Sequence, residues 1–177
     1  MFAFRVALAF FAIAGAVANP LVARQTTNTN EQINAVVDAL HLTTRHTFVD
    51  IVTIQANETT ADATINPEVQ ALISAFNTAT TDLSNIAVSS GSQTDTPTND
   101  DISITYADIM QVAATSLAGL ADDGSSLGDL DPVIANNVNQ LNTTLPGSLG
   151  LVHILMLDAR QWFQLAGFPL TLTALGF

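Results

Sequence analysis

Apolar residues return every three or four positions along most of the chain, and five stretches carry that period. In the first, Ile33, Val36, Val37, Leu40, Phe48, Ile51 and Val52 recur at helical spacing. Thr29-Asn30-Glu31-Gln32 precedes them in the form of a capping box, with Thr29 as the cap and Gln32 reaching back. Thr43, Thr44 and Thr47 make the middle β-branched and polar, which predicts a kink or weak turn there. The second stretch opens on Asn66-Pro67, a cap followed by proline at the first helical position. Val69, Leu72, Ile73, Phe76, Ala79, Leu83, Ile86 and Ala87 then follow the helical rule up to Ser89-Ser90-Gly91. This is the strongest helix in the chain.

Residues 89–101 hold Ser, Thr, Asp and Pro with no large apolar side chain, and read as an exposed loop suited to O-glycans. A third helix is predicted over 102–121, with Ile102, Tyr106, Ile109, Ala113, Leu117 and Leu120 on one face and Asp122-Asp123-Gly124 as its stop. Asp131-Pro132 repeats the cap–proline start, and Ile134, Val138, Leu141 and Leu145 form the fourth stripe until Pro146-Gly147. The fifth helix, over 148–166, is apolar nearly all round, the pattern of a central, buried helix. No alternating strand pattern competes. The connections suit antiparallel neighbours, so the expected fold is all-α, a five-helix antiparallel bundle over 29–166.

The ends have their own grammar. Residues 1–18 read as a cleaved secretory signal peptide: Arg5 supplies the positive n-region, an apolar run follows, and Ala16-Val17-Ala18 places the cut after Ala18. The apolar run is shorter than the roughly 20 residues a membrane span needs, so no transmembrane segment is expected in the mature protein. Residues 19–28 form a leader, either cut at a second processing point after Arg24 or left uncut, and 167–177 form an apolar tail. A glycolipid-anchor signal would need a polar spacer where Trp162 and Phe163 stand, so the tail is expected to pack back over the bundle.

Composition narrows the function classes. At 177 residues and 18.6 kDa the chain is one domain's worth. Four cations, all arginine, face 16 acids, for a net charge of −12 and a pI near 4.1. Nucleic acid and anionic leaflets are thereby excluded as default partners, because both are bound through clustered Lys and Arg. With no cysteine there are no disulfides, thiolate metal sites or cysteine nucleophiles.

Catalytic constellations are scarce. His41 and His46 are five apart and diverge on a helix; His46 and Asp50 have the spacing of a surface charge pair; His153 stands alone. Asp122, Asp123, Asp129 and Asp131 flank Gly124 and Gly128 without the order of a calcium loop. There is no lysine for a phosphate loop, and Gly147-Ser148-Leu149-Gly150 is not a nucleophile elbow. No catalytic residue, metal or cofactor is expected. Asn57-Glu58-Thr59 and Asn142-Thr143-Thr144 are N-glycosylation sequons.

What remains is the apolar content, 48% of residues against 11% charged. A bundle so poor in charge either encloses an apolar ligand or presents an apolar surface. Expected lining residues are Val37, Leu40 and Phe48 from the first helix, Phe76 and Leu83 from the second, and Tyr106, Ile109 and Met110 from the third. Leu155, Met156 and Trp162 would join from the fifth. The Tyr106 hydroxyl, Arg45 or Arg160 would meet a carboxylate head group, so the expected partner is a fatty acid or similar apolar molecule, or a hydrophobic surface.

Ala16-Val17-Ala18, the cysteine-free Ala/Thr/Leu-rich body, and the helix Val69-Gln70-Ala71-Leu72-Ile73-Ser74-Ala75-Phe76-Asn77-Thr78-Ala79 followed by a loop and two further helices together resemble the fungal hydrophobic-surface-binding protein family, which includes cell-wall galactomannoproteins. The resemblance spans residues 31–165. It implies a five-helix bundle, secreted and extracellular or wall-associated, that binds lipids or adsorbs to hydrophobic surfaces. The absence of lysine and the apolar tail depart from the family pattern. The alternatives are an inert structural wall glycoprotein and, less favoured, a hydrolase of lipid or wall material using His46 or His153.

Overall fold

The computed structural model describes residues 27–57, 62–120 and 126–177, and every regular element within them is helical. The chain is all-α. Helix α1 spans Asn30–Ala56, α2 Asp62–Ser84, α3 Asn99–Ala118 and α4 Leu130–Thr144, the last entered through a 3-10 turn at Ser126–Asp129. Three short helices follow: α5 (Ser148–Leu155), α6 (Arg160–Leu165) and α7 (Pro169–Ala174). The expected signal peptide with its cut after Ala18, the Arg24 processing point and the Asp122-Asp123 pair lie outside the described residues.

The expected apolar stripes of α1 to α4 face inward, except Val52 of α1 and Ala87 beyond the end of α2, which are exposed. Ile33, Val37, Leu40, Phe48 and Ile51 of α1 meet Val69, Leu72, Phe76 and Leu83 of α2 in one core. Ile102, Tyr106, Ile109 and Leu117 of α3 and Ile134, Val138 and Leu141 of α4 complete it. The β-branched middle of α1 continues as helix without a break. There Thr43 and Thr44 return their hydroxyls to the carbonyls of Ala39 and Leu40, four residues back, at 2.8 Å each.

Helix directions depart from the antiparallel neighbours expected. Along α1 and α3, Asn30 donates to Asn99 Oδ1 (2.9 Å), His41 meets Asp108 (3.1 Å) and Gln55 donates to Ser116 O (2.8 Å) in rising order, so the two helices run parallel. Asn137 with Phe76 and Thr80, then Thr144 with Leu83, make α2 and α4 parallel as well. Ser103 with Ser148 and Gln111 with Leu155 do the same for α3 and α5. Helix α1 packs on α2 and α3, and α2 on α4, while α3 and α4 face each other across the core.

The crossing is made by residues 85–98, which are knit into the fold rather than hung outside it. Ser89 is buried; its hydroxyl accepts from the backbone N–H groups of Thr29 and Gly91 and donates to Asn30 Oδ1. Asn30 in turn donates to Pro97 O and Asn99 Oδ1. Ser90, Thr94 and Thr96 are the hydroxyl residues of this loop left exposed.

Several helix ends differ from the sequence expectation. Thr29 caps α1 by position, but its hydroxyl donates to Ala87 O (2.9 Å), and Asn28 Oδ1 instead accepts the Asn30 N–H. Helix α2 begins at Asp62, so Pro67 lies within it as its sixth residue, past its first turn. The capping box belongs to α3: Thr98 accepts from Asp101 N, and the Asp101 carboxylate accepts from Thr98 N. The Thr98 backbone N–H first, and its hydroxyl second, hold Asp101 below the ordinary carboxylate range. That contribution is present at neutral pH and is lost as pH falls through the lowered range.

The expected fifth helix divides at 156–159, where Ala159 N and Arg160 N both donate to Met156 O. Val152, Met156, Ala159, Phe163 and Ala166 form a narrow buried stripe, while Ile154, Leu157, Trp162 and Leu165 remain exposed. The segment is peripheral, not central, because it rests on α3 and α4 on one side, with α7 against α6, and Ile154, Leu157, Trp162 and Leu165 stay exposed. The tail does pack back. Phe168, Thr171 and Leu175 are buried, and α7 lies on α4 and α6.

Asp131, read from sequence as the cap of the fourth helix, is inside α4, 4% exposed, and caps α7 instead. Its carboxylate accepts from Leu170 N (3.0 Å), Thr171 N (2.8 Å) and the Thr171 hydroxyl (2.8 Å). These are the orphan donors of a helix N-terminus, met by an anion from a neighbouring helix. Asp131→Ala is therefore expected to cost about 1–3 kcal/mol and to release α7 first. In hydrogen exchange the Leu170 and Thr171 amides should lose protection while α1 to α3 keep theirs.

In the core the Tyr106 hydroxyl donates to Asn137 Oδ1 (2.8 Å), and Asn137 Nδ2 donates to Thr80 Oγ1 (3.0 Å) and Phe76 O (3.3 Å). Both residues are fully buried, and burial pushes the Tyr106 hydroxyl pKa well above its ordinary value near 10. Stability is therefore intact below that value and is lost above it, as the unfolded chain ionises first. Tyr106 is the single tyrosine, so phenolate absorbance at 295 nm reads it alone. Ionisation should appear only together with loss of helical circular dichroism; phenolate forming in the still-folded chain would contradict this.

Candidate functional site

Nine of the eleven expected lining residues are packed inside. Val37, Leu40, Phe48, Phe76, Leu83, Tyr106, Ile109, Met110 and Met156 belong to the core, none more than 4% exposed. Leu155 is half-buried, and Trp162 stands at the surface, 40% exposed. The Tyr106 hydroxyl, expected to meet a head group, is instead committed to Asn137.

A few of these residues form the floor of surface clefts. One cleft of about 260 Å3 between α1 and α3 is lined by His41, Thr44, Arg45, Phe48, Asp108, Ile109 and Val112. It adjoins a second, also about 260 Å3, that shares Phe48 and Val112 and adds Val49, Val52, Thr53 and Ser116. A groove of about 320 Å3 between α1 and α2 is walled by small residues with Leu40. All three open to solvent.

The chemistry in the first cleft is limited. His41 Nε2 lies 3.1 Å from an Asp108 carboxylate oxygen, a polar contact between helices that sequence spacing alone did not reveal. The expected partner of His46, Asp50, is exposed, as His46 is. Thr44 supplies a hydroxyl beside His41, but that hydroxyl donates to Leu40 O, so it is held by its own helix. Arg45 is exposed at the rim. His153 faces Leu175 O through Nδ1 (2.9 Å) and stacks on Phe177, whose ring also lies 5.9 Å from the Arg160 guanidinium. Among the described residues no group of three or more His, Asp or Glu could hold a metal ion.

The outer surface is where large apolar side chains are unaccounted for. Ile154 (61%), Leu157 (47%), Trp162 (40%) and Leu165 (57% exposed) crowd into 154–165, and Leu170 on the adjoining α7 is also exposed. A second row, Leu42, Val49 and Val52, runs along the outer side of α1. The threonines add to this character. Thr43, Thr53, Thr78, Thr81, Thr105, Thr115, Thr143 and Thr173 are exposed or partly so, and each donates to the carbonyl four residues back. That bond turns the donor along the helix and leaves the methyl to meet solvent. The composition hinted at such a surface, but the face could not be located before the helices were placed.

No protein-family model matches the chain, and no curated protein matches it in sequence. No helix among the described residues is long and apolar enough to cross a membrane.

Both sequon asparagines that sequence reading singled out, Asn57 and Asn142, are exposed. Asn142 and its Thr144 point to different sides of α4: Thr144 is 1% exposed and donates to Leu83 O (3.2 Å) and Gln140 O (3.0 Å). An enzyme that reads both side chains together can reach them only before α4 docks. Oligosaccharyltransferase in vitro should therefore glycosylate the urea-unfolded chain at Asn142 and leave the folded protein without that glycan, as read by intact mass.

Proposed function

We propose that this is a secreted, non-enzymatic protein, extracellular or wall-associated, that binds lipids or hydrophobic surfaces. The observation that carries the reading is the row Ile154, Leu157, Trp162 and Leu165, left uncovered on α5 and α6. The interior of the bundle is already filled by its own side chains, so an apolar partner is met from outside. Removing about 80–100 Å2 from water at each of the four side chains is worth roughly 2 kcal/mol apiece, about 8 kcal/mol together before entropic costs. That is enough for adsorption to an extended apolar surface. The resemblance to hydrophobic-surface-binding proteins agrees with this use.

The hydrolase alternative would use His46 or His153, but His46 and Asp50 are both exposed and His153 Nδ1 meets Leu175 O. One observation favours an inert wall glycoprotein: Val37, Phe76, Leu83, Tyr106 and Met110 leave little interior space for a ligand. The two readings separate on adsorption.

Trp162 is the single tryptophan and part of the row, so its emission reports contact directly. Titration with alkyl-coated silica or uncharged lipid vesicles should give saturable binding with a blue shift of Trp162 emission. A variant carrying Ile154→Ser, Leu157→Ser and Leu165→Ser should fold normally and lose at least tenfold in affinity. Absence of both adsorption and blue shift in the wild-type protein would leave the inert glycoprotein standing.

A further inference from the structure

The few charges of this chain are distributed very unevenly. Residues 27–129 carry fourteen of the 16 acids and only Arg45 in return, a net charge of −13. Residues 130–177 carry three charged side chains: Asp131, which is buried against α7, and the exposed pair Asp158 and Arg160, which cancel. The apolar row of α5 and α6 thus sits in a segment whose exposed charges balance, with a net charge of −1 from the buried Asp131. The bundle separates part of the acidic region from the row in space as well. Helices α5 and α6 pack on α3, which carries the exposed Asp100, Asp101 and Asp108, and α5 also on α4, whereas α1 and α2 pack on neither. Glu31, Asp38 and Asp50 of α1 and Asp82 of α2 all stand exposed on that other side.

We infer that adsorption through α5 and α6 is oriented, and that its product is a negatively charged coat on an uncharged apolar surface. The inference rests on the adsorption reading above and adds its partner class and its consequence. An uncharged apolar surface accepts the neutral face and leaves the acidic helices in water. A surface that carries its own negative charge repels the −13 region lying within a few Debye lengths, so it is selected against at low salt. Each adsorbed molecule exchanges exposed hydrocarbon for a layer of carboxylates. Coated particles then repel one another and stay dispersed, which makes the protein a wetting and dispersing agent for apolar material.

The test uses the full chain on alkyl-silica beads, uncharged or bearing added sulfonate groups. Uncharged beads should acquire a negative electrophoretic mobility that saturates with the adsorbed amount, and should cease to clump. Affinity for the sulfonated beads should be about tenfold weaker at 10 mM salt, with most of the gap closing at 0.5 M. Because the chain has no cysteine, a single introduced one reports orientation. Asp82→Cys should stay reactive to maleimide on the bead, and Leu157→Cys should become protected. Asp38→Asn with Asp82→Asn should reduce the mobility of coated beads without changing the amount adsorbed. Adsorption with equal reactivity at positions 82 and 157, or without a change in mobility, overturns the oriented coat and leaves the adsorption reading intact. No adsorption at all overturns both.

Discussion

Asn137 is the residue on which the bundle's geometry depends. Its amide is fully buried, so its donors and acceptor must find partners within the protein or cost several kcal/mol. They find them on two other helices at once, Tyr106 of α3 and the Phe76–Thr80 turn of α2. Sliding α4 by one turn against α2 would break these contacts even where the apolar stripes still matched. Apolar packing tolerates many registers; a buried amide with named partners tolerates few. With that register set, Thr144 reaches Leu83 and Asp131 sits where the start of α7 can use it.

The same register decides which faces are left over. Once α1 to α4 fill the core, the segment after Gly147 finds one side of α3 and α4 open, and only its Val152–Met156–Ala159–Phe163 stripe can be buried there. A helix rich in Leu, Ile and Trp on its remaining sides must then expose them. The exposed row is a consequence of topology as well as composition.

The first four helices were legible because each has one strong apolar stripe and one polar side, so the face is written into the spacing. Their ends were less so. Thr29 has the residues of a capping box, yet a carbonyl from a loop 58 positions away takes its hydroxyl, and a competitor that remote leaves no local trace. Asp131-Pro132 looks like a cap and start, but the carboxylate's better partners are the N–H groups of a helix forty residues on. The 148–166 segment failed differently. With apolar residues on every side it has no stripe to read, and whether such a helix is central or peripheral is set by the number of neighbours, which spacing cannot supply. The lining residues followed from the same confusion: core and pocket have one composition, and only packing tells them apart. Trp162, grouped with them from sequence, proved to be the member facing solvent.

Charge distribution resolves what apolar composition leaves open. A protein with an exposed hydrocarbon row and charges spread evenly around it would pay for every adsorption event by desolvating ions at the contact. Here residues 130–177 hold a balanced Asp158–Arg160 pair at their surface, while six carboxylates lie on α1 and α2, which pack on neither α5 nor α6, and Asp100, Asp101 and Asp108 lie on α3. The same separation opposes self-association through the apolar row, since two molecules joined face to face would bring two −13 regions within a molecular diameter. An extended uncharged surface imposes no such penalty, because it adds no charge of its own. On the adsorption proposal, the acidic composition biases the exposed row away from a second copy of the chain and towards a neutral interface, through long-range fields that need no specific contact.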